Sequence, residues 1–159
     1  MQQKTLSKWL KCMIVGVGLC GLVVYALVIP MLGQGIVGQN PEFADRYWPW
    51  LGFLWATGVP CYAALVLAWK ISTNIGLDRS FSETNAKLLR WISYLAAADA
   101  GFFFVGNIVM LFLSMSHPGI TLLSLLVVFA GAAVAAAAAA LSHLVKKAAA
   151  LQEQSDWTI

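Results

Sequence analysis

Asp99 is the one acidic residue inside a long apolar run of this sequence. It lies about two turns past Trp91, roughly 12 Å along a helix at 1.5 Å per residue. A carboxylate at that depth in hydrocarbon costs at least about 2.5–3.5 kcal/mol, so it is expected to face other helices rather than lipid. Two chemistries fit. One is a proton- or cation-responsive site. The other is a structural hydrogen bond to Thr57, Tyr62 or Ser124 that fixes helix register. A single acid without a partner base is not a relay. Asn107 stands eight residues on, about 80° around the helix, where it could extend a polar stripe or join two helices. Pro60, preceded by Gly58, is expected to kink its helix and free a backbone carbonyl. Such breaks build binding sites in transporters, usually in matched pairs, and no second break matches this one.

Other reactive residue types are scattered. Cys12, Cys20 and Cys61 lie in or beside apolar runs with no CxxC pair, so a disulfide framework is not expected. Cys20 and Cys61 fall at similar depths and could face each other as small apolar groups. His117 and His143 are expected on opposite sides of a membrane, which rules out a shared haem or metal. No nucleophile with a base, no metal-spaced ligand set and no phosphate loop occurs. The expectation is therefore a chain that is not an enzyme and carries no cofactor.

The elements that hold these residues follow from hydropathy. Of 159 residues, 60% are apolar and 11% charged; soluble domains carry about 25% charged residues. Four runs are long enough to cross about 30 Å of hydrocarbon as helices. They are residues 11–32, 50–69, 91–115 and 120–145, and they lack the alternation of barrel strands. Nine of the ten basic residues lie in the N-terminal flank, the middle loop and the tail; only Arg46 lies in the other loops. By the positive-inside rule, both ends of the chain are then cytoplasmic. The first run is too long for a signal-peptide core and reads as a retained span. The expected fold is all-α: a single integral membrane domain, a four-helix bundle in a bacterial cytoplasmic membrane.

Between the second and third spans the sequence is most informative. Ser80-Phe81-Ser82-Glu83 offers a capping box with Ser80 as N-cap, and Ser82 with Asn85 offers a second helix start. From there the third helix is expected to begin in the cytosol and run about two turns before entering lipid. Asn40-Pro41 predicts an N-capped short interfacial helix over 41–47, following an outer loop from about Gly33. Gly131 to Ala140 presents small residues on every face, as do Ala97 with Gly101 and Gly16 with Cys20 on smaller patches. Such faces serve internal packing, a second copy, or a larger membrane complex.

Residues 76–94, GLDRSFSETNAKLLRWISY, resemble the signature of a family of small four-span bacterial membrane proteins catalogued as a domain of unknown function, DUF2975. Gly76, Phe81, Ser82, Glu83, Asn85, Leu88 and Arg90 carry the match. Here Thr84 separates the acid from the asparagine, where the family more usually joins them. The resemblance implies no chemistry. It does imply a genomic neighbourhood, since members are often encoded beside a very small Cro-type helix-turn-helix regulator. Together these features predict a regulatory or interaction module. Phe81, Ser82, Glu83, Asn85, Lys87 and Arg90 would hold a small cytoplasmic partner at the bilayer, with no direct nucleic-acid contact. The alternatives are a small transporter or proton-responsive channel centred on Asp99, Asn107, Thr57 and Tyr62, and an accessory subunit of a larger complex.

Overall fold

A computed structural model describes residues 3–116 and 118–157, without the side chain of Asp156. His117 lies outside the described residues. Every regular element among the described residues is helical: α1 (Gln3–Val23), α2 (Ile29–Gln39), α3 (Tyr47–Gly76), α4 (Glu83–Phe112) and α5 (Pro118–Asp156). A π-turn at Val24–Val28 joins α1 to α2, making one rod of 37 residues. Among the described residues, four helical stretches are long and apolar enough to cross a membrane. The chain is a multi-pass helical membrane protein.

The first span runs further than its apolar pattern predicted. Residues 33–39, expected as loop, continue α2, and Asn40 closes that helix by donating to the Ile36 carbonyl at 3.3 Å. Asn40 therefore makes no side-chain N-cap for the short helix that follows, which is a 3-10 turn over Pro41–Arg46 leading directly into α3. Pro30 explains the π-turn. In π register Ile29 N–H reaches the Val24 carbonyl, and the next donor would serve Tyr25. Residue 30 has no N–H to give. Trp55 of α3 supplies it instead, its Nε1 donating to the Tyr25 carbonyl at 2.9 Å. In lipid no water could do so.

Each helix packs on its neighbour in the chain. Among the described residues α1 packs on α3, α3 on α4 and α4 on α5, and α1 packs on neither α4 nor α5. Hydroxyls bind the first seam: Ser7 Oγ donates to the Ser72 carbonyl at 2.7 Å and Ser72 Oγ returns to Ser7 at 3.0 Å. Gly76 is the last helical residue of α3. A Cβ there would lie 2.9 Å from Ser7 Oγ, so its smallness admits α1. The break falls at Asp78, which takes the left-handed conformation with φ 59°.

The second seam stacks Phe53 of α3 against Phe102 and Phe103 of α4 and places it on Gly106. The third uses the small residues of α5. Ser93 Oγ donates to the Ala135 carbonyl at 2.8 Å and Ser142 Oγ to the Ala86 carbonyl at 2.6 Å. A Cβ on Gly131 would stand 3.0 Å from that of Ala100. On α4 the residues meeting α3 (Asn85, Asp99, Gly106) and those meeting α5 (Ala86, Ser93, Ala100) both repeat in sevens, offset by one. The two neighbours therefore sit roughly 100° apart around α4, and the row of helices bends there.

Gln3 with Ser80, Ser7 with Ser72 and Ala86 with Ser142 gather the N-terminal end, the turn 77–82 and the later half of α5 at one end of the molecule. At the other end Arg46 Nη1 donates to the Ser114 carbonyl at 2.6 Å, just past the C-terminus of α4.

Candidate functional site

Two places combine polar chemistry with an unusual position. The first is the turn between α3 and α4. Ser82, in extended conformation, accepts from the Asn85 N–H at 3.2 Å and is the N-cap of α4. Of the two expected starts, the later one forms. Ser80 caps nothing, because its carbonyl is taken by Asn85 and its hydroxyl faces Gln3. Asn85 is only 1% exposed. Its Nδ2 donates to the carbonyls of Arg79 and Ser80, both at 3.0 Å, and its Oδ1 accepts from Asn74 Nδ2 at 2.7 Å. One amide thus satisfies two orphan carbonyls of the turn and ties it to the end of α3.

Four of the residues expected to hold a partner point outward. Phe81 is 58% exposed, and Glu83, Lys87 and Arg90 are exposed on the first two turns of α4. Lys87 Nζ stands 3.1 Å from Glu83 Oε1. That hydrogen bond and the ammonium charge hold the Glu83 carboxyl below its ordinary pKa. Asn74 was not singled out by the sequence. A polar residue in the last turn of an apolar helix, facing a buried asparagine, was its only signal.

The second place is the middle of the membrane. Asp99 Oδ2 accepts from Cys61 Sγ at 3.4 Å, and Asp99 Oδ1 is enclosed without a hydrogen-bond partner. The expected donors are engaged elsewhere. Thr57 Oγ1 donates to the Leu54 carbonyl at 2.7 Å and meets Tyr25 at 3.0 Å; Tyr62 donates to the Gly18 carbonyl at 2.7 Å; Ser124 donates to the Thr121 carbonyl at 2.7 Å. Cys61 turns to Asp99 in α4 rather than toward Cys20 in α1. Asn107 is buried and donates to the Phe103 carbonyl of its own helix at 2.7 Å. It does not join Asp99. Tyr25, the tyrosine of the first span, is the neighbour that sequence reasoning missed. An open apolar groove between α1 and α3 adjoins it, lined by Leu22, Tyr25, Trp55, Val59 and Tyr62. Among the described residues no three of His, Cys, Asp and Glu converge as metal ligands.

The chain is 27% identical over 153 residues to the uncharacterized membrane protein YoaS of Bacillus subtilis (strain 168), covering 95% of this chain and 96% of that one. No solved structure matches it. A family described as protein of unknown function, DUF2975, matches residues 31–159, a stretch holding both the clamped turn and the intramembrane carboxyl. The chain belongs to the DUF2975 family of membrane proteins.

Proposed function

We propose that this protein is a non-enzymatic module of the bacterial cytoplasmic membrane that holds a small cytoplasmic protein at the bilayer. The observation that carries the reading is the turn 77–82. Its backbone is fixed from within by Asn85, while Phe81, Lys87 and Arg90 face out. A rigid aromatic and basic surface binds without the entropy cost of ordering a loop. It suits a partner that surrounds an apolar patch with acidic side chains. Nine of ten basic residues lie in the segments at this end, which supports placing the end, with both termini, in the cytoplasm. The family's frequent coding beside small helix-turn-helix regulators supports such a regulator as the partner.

The test is mild-detergent purification of the tagged chain from its native host, with mass spectrometry of what co-purifies. A small soluble protein at near-equal amount, lost from the Lys87→Glu/Arg90→Glu variant, is the expected result. Retention of every partner by that variant would sink the proposal. Recovery of a large membrane assembly would favour an accessory subunit instead.

A second reading, a small transporter or proton-responsive channel, is favoured by the enclosed, unpartnered Asp99 Oδ1. Under it, Asp99→Asn abolishes flux in liposomes while the chain still folds. Absence of flux in the parent would dismiss this reading.

A further inference from the structure

The small face of α5 is spent on α4, but a second face of the same helix has no neighbouring helix among the described residues. Val134, Ala137, Leu141, Leu144, Ala148 and Leu151 follow one another at alternating steps of three and four residues. The four large ones are each at least half exposed, Leu144 at 61% and Leu151 at 59%. The same steps carried back reach Ile120. This is the pattern of a coiled-coil seam.

The seam crosses the membrane boundary without changing phase. Ala86 faces Ser142 and Ser93 faces Ala135, so α4, which begins at Glu83, ends opposite Val145. Residues 146–156 of α5 extend past it by roughly 16 Å, and among the described residues no other helix packs on α5. Lys146 and Lys147 mark the aqueous side, yet Leu151 continues the stripe beyond them. Lipid could cover only the inner part of the seam and a soluble protein only the outer part. A partner that covers both must cross the membrane and carry its helix on into water in step with α5.

We propose that the occupant is a second copy of this chain, its α5 parallel to the first about a two-fold axis along the membrane normal. Two copies inserted the same way present parallel α5 helices, and the axis sets each seam residue against itself. The mid-membrane position Ala137 is small enough for close approach. Charges fit as well. Lys146 and Glu153 lie on the side of α5 away from the seam, and Lys147, flanking it, meets Gln152 of the other copy rather than a like charge.

The test uses chains with Cys12, Cys20 and Cys61 changed to serine, each carrying Leu144→Cys, Leu151→Cys or Lys146→Cys, oxidised mildly in native membranes. Disulfide-linked dimer is expected from the first two at several times the yield of the third. Equal yields at the three positions would overturn the pairing, as would a cross-link from Leu144→Cys or Leu151→Cys to a different protein. Should the serine background fail to insert, the parent chain in copolymer-extracted nanodiscs decides. A protein mass of twice 17.2 kDa supports the pair, and a single-chain mass overturns it.

Discussion

Asn74 Nδ2 donates to Asn85 Oδ1 at 2.7 Å across eleven residues of chain, and so the end of one membrane helix is tied to the start of the next by a buried pair of amides. Removing Asn85 leaves the Arg79 and Ser80 carbonyls and the Asn74 amide unserved. Asn85→Ala is expected to cost about 2–4 kcal/mol, read as a lower thermal midpoint in detergent. Asn85→Asp keeps the acceptor for Asn74 but sets a carboxylate against two carbonyls, and should also destabilise. If either variant melts like the parent, the clamp is not structural.

Gly106 and Gly101 lie five residues apart on α4 and should respond oppositely to a methyl group. A Cβ on Gly106 would collide with the ring of Phe53, whereas one on Gly101 meets nothing within 4 Å. Gly106→Ala is expected to destabilise by about 1–3 kcal/mol. Gly101→Ala should be neutral or stabilising by up to about 1 kcal/mol through helix propensity. Thermal melts of the two variants side by side check the seam between α3 and α4.

Asp99 makes one weak bond, from a thiol, at a depth where a carboxyl is costly. Asp99→Leu is therefore expected to hold or raise thermal stability, with the gain bounded by the insertion cost of about 2.5–3.5 kcal/mol. A clear fall in the melting midpoint would show that the carboxyl fixes helix register after all.

The Glu83–Lys87 pair is open to water, so its effect is confined to titration. Lys87 lowers the Glu83 pKa, with a smaller contribution from the charge of Lys146. Whatever small stability this gives is present above the ordinary carboxylate range and fades as pH falls through the lowered value. Lys87→Gln should raise the Glu83 midpoint in an NMR titration while the thermal midpoint at neutral pH stays unchanged. An unmoved Glu83 midpoint would mean that the pair does not form.

The membrane fold was legible because hydrocarbon imposes a length and a composition that α1, α3, α4 and α5 all satisfy. Helix ends were less so. Residues 33–39 hold three glycines, which read as loop by type, yet they continue α2 to its close at Asn40. Gly76 reads as a breaker by type, yet its role comes from Ser7, 69 positions earlier in the chain. Around Asp99 the residue types were visible but not their partners. The hydroxyls expected to serve it, on Thr57, Tyr62 and Ser124, each donate to a backbone carbonyl instead, and only the packing of α3 on α4 shows that Cys61 is the donor.

The bent row in which, among the described residues, each membrane span touches only its chain neighbour has a consequence for cooperativity. With no interior shared by all four helices, stability approximates a sum of nearest-neighbour terms, as in solenoid repeats. Damage to the Ser7–Ser72 seam should loosen α1 while the α4–α5 seam keeps its full protection from hydrogen exchange. The molecule can then assemble one hairpin at a time as it enters the bilayer, and come apart from its ends.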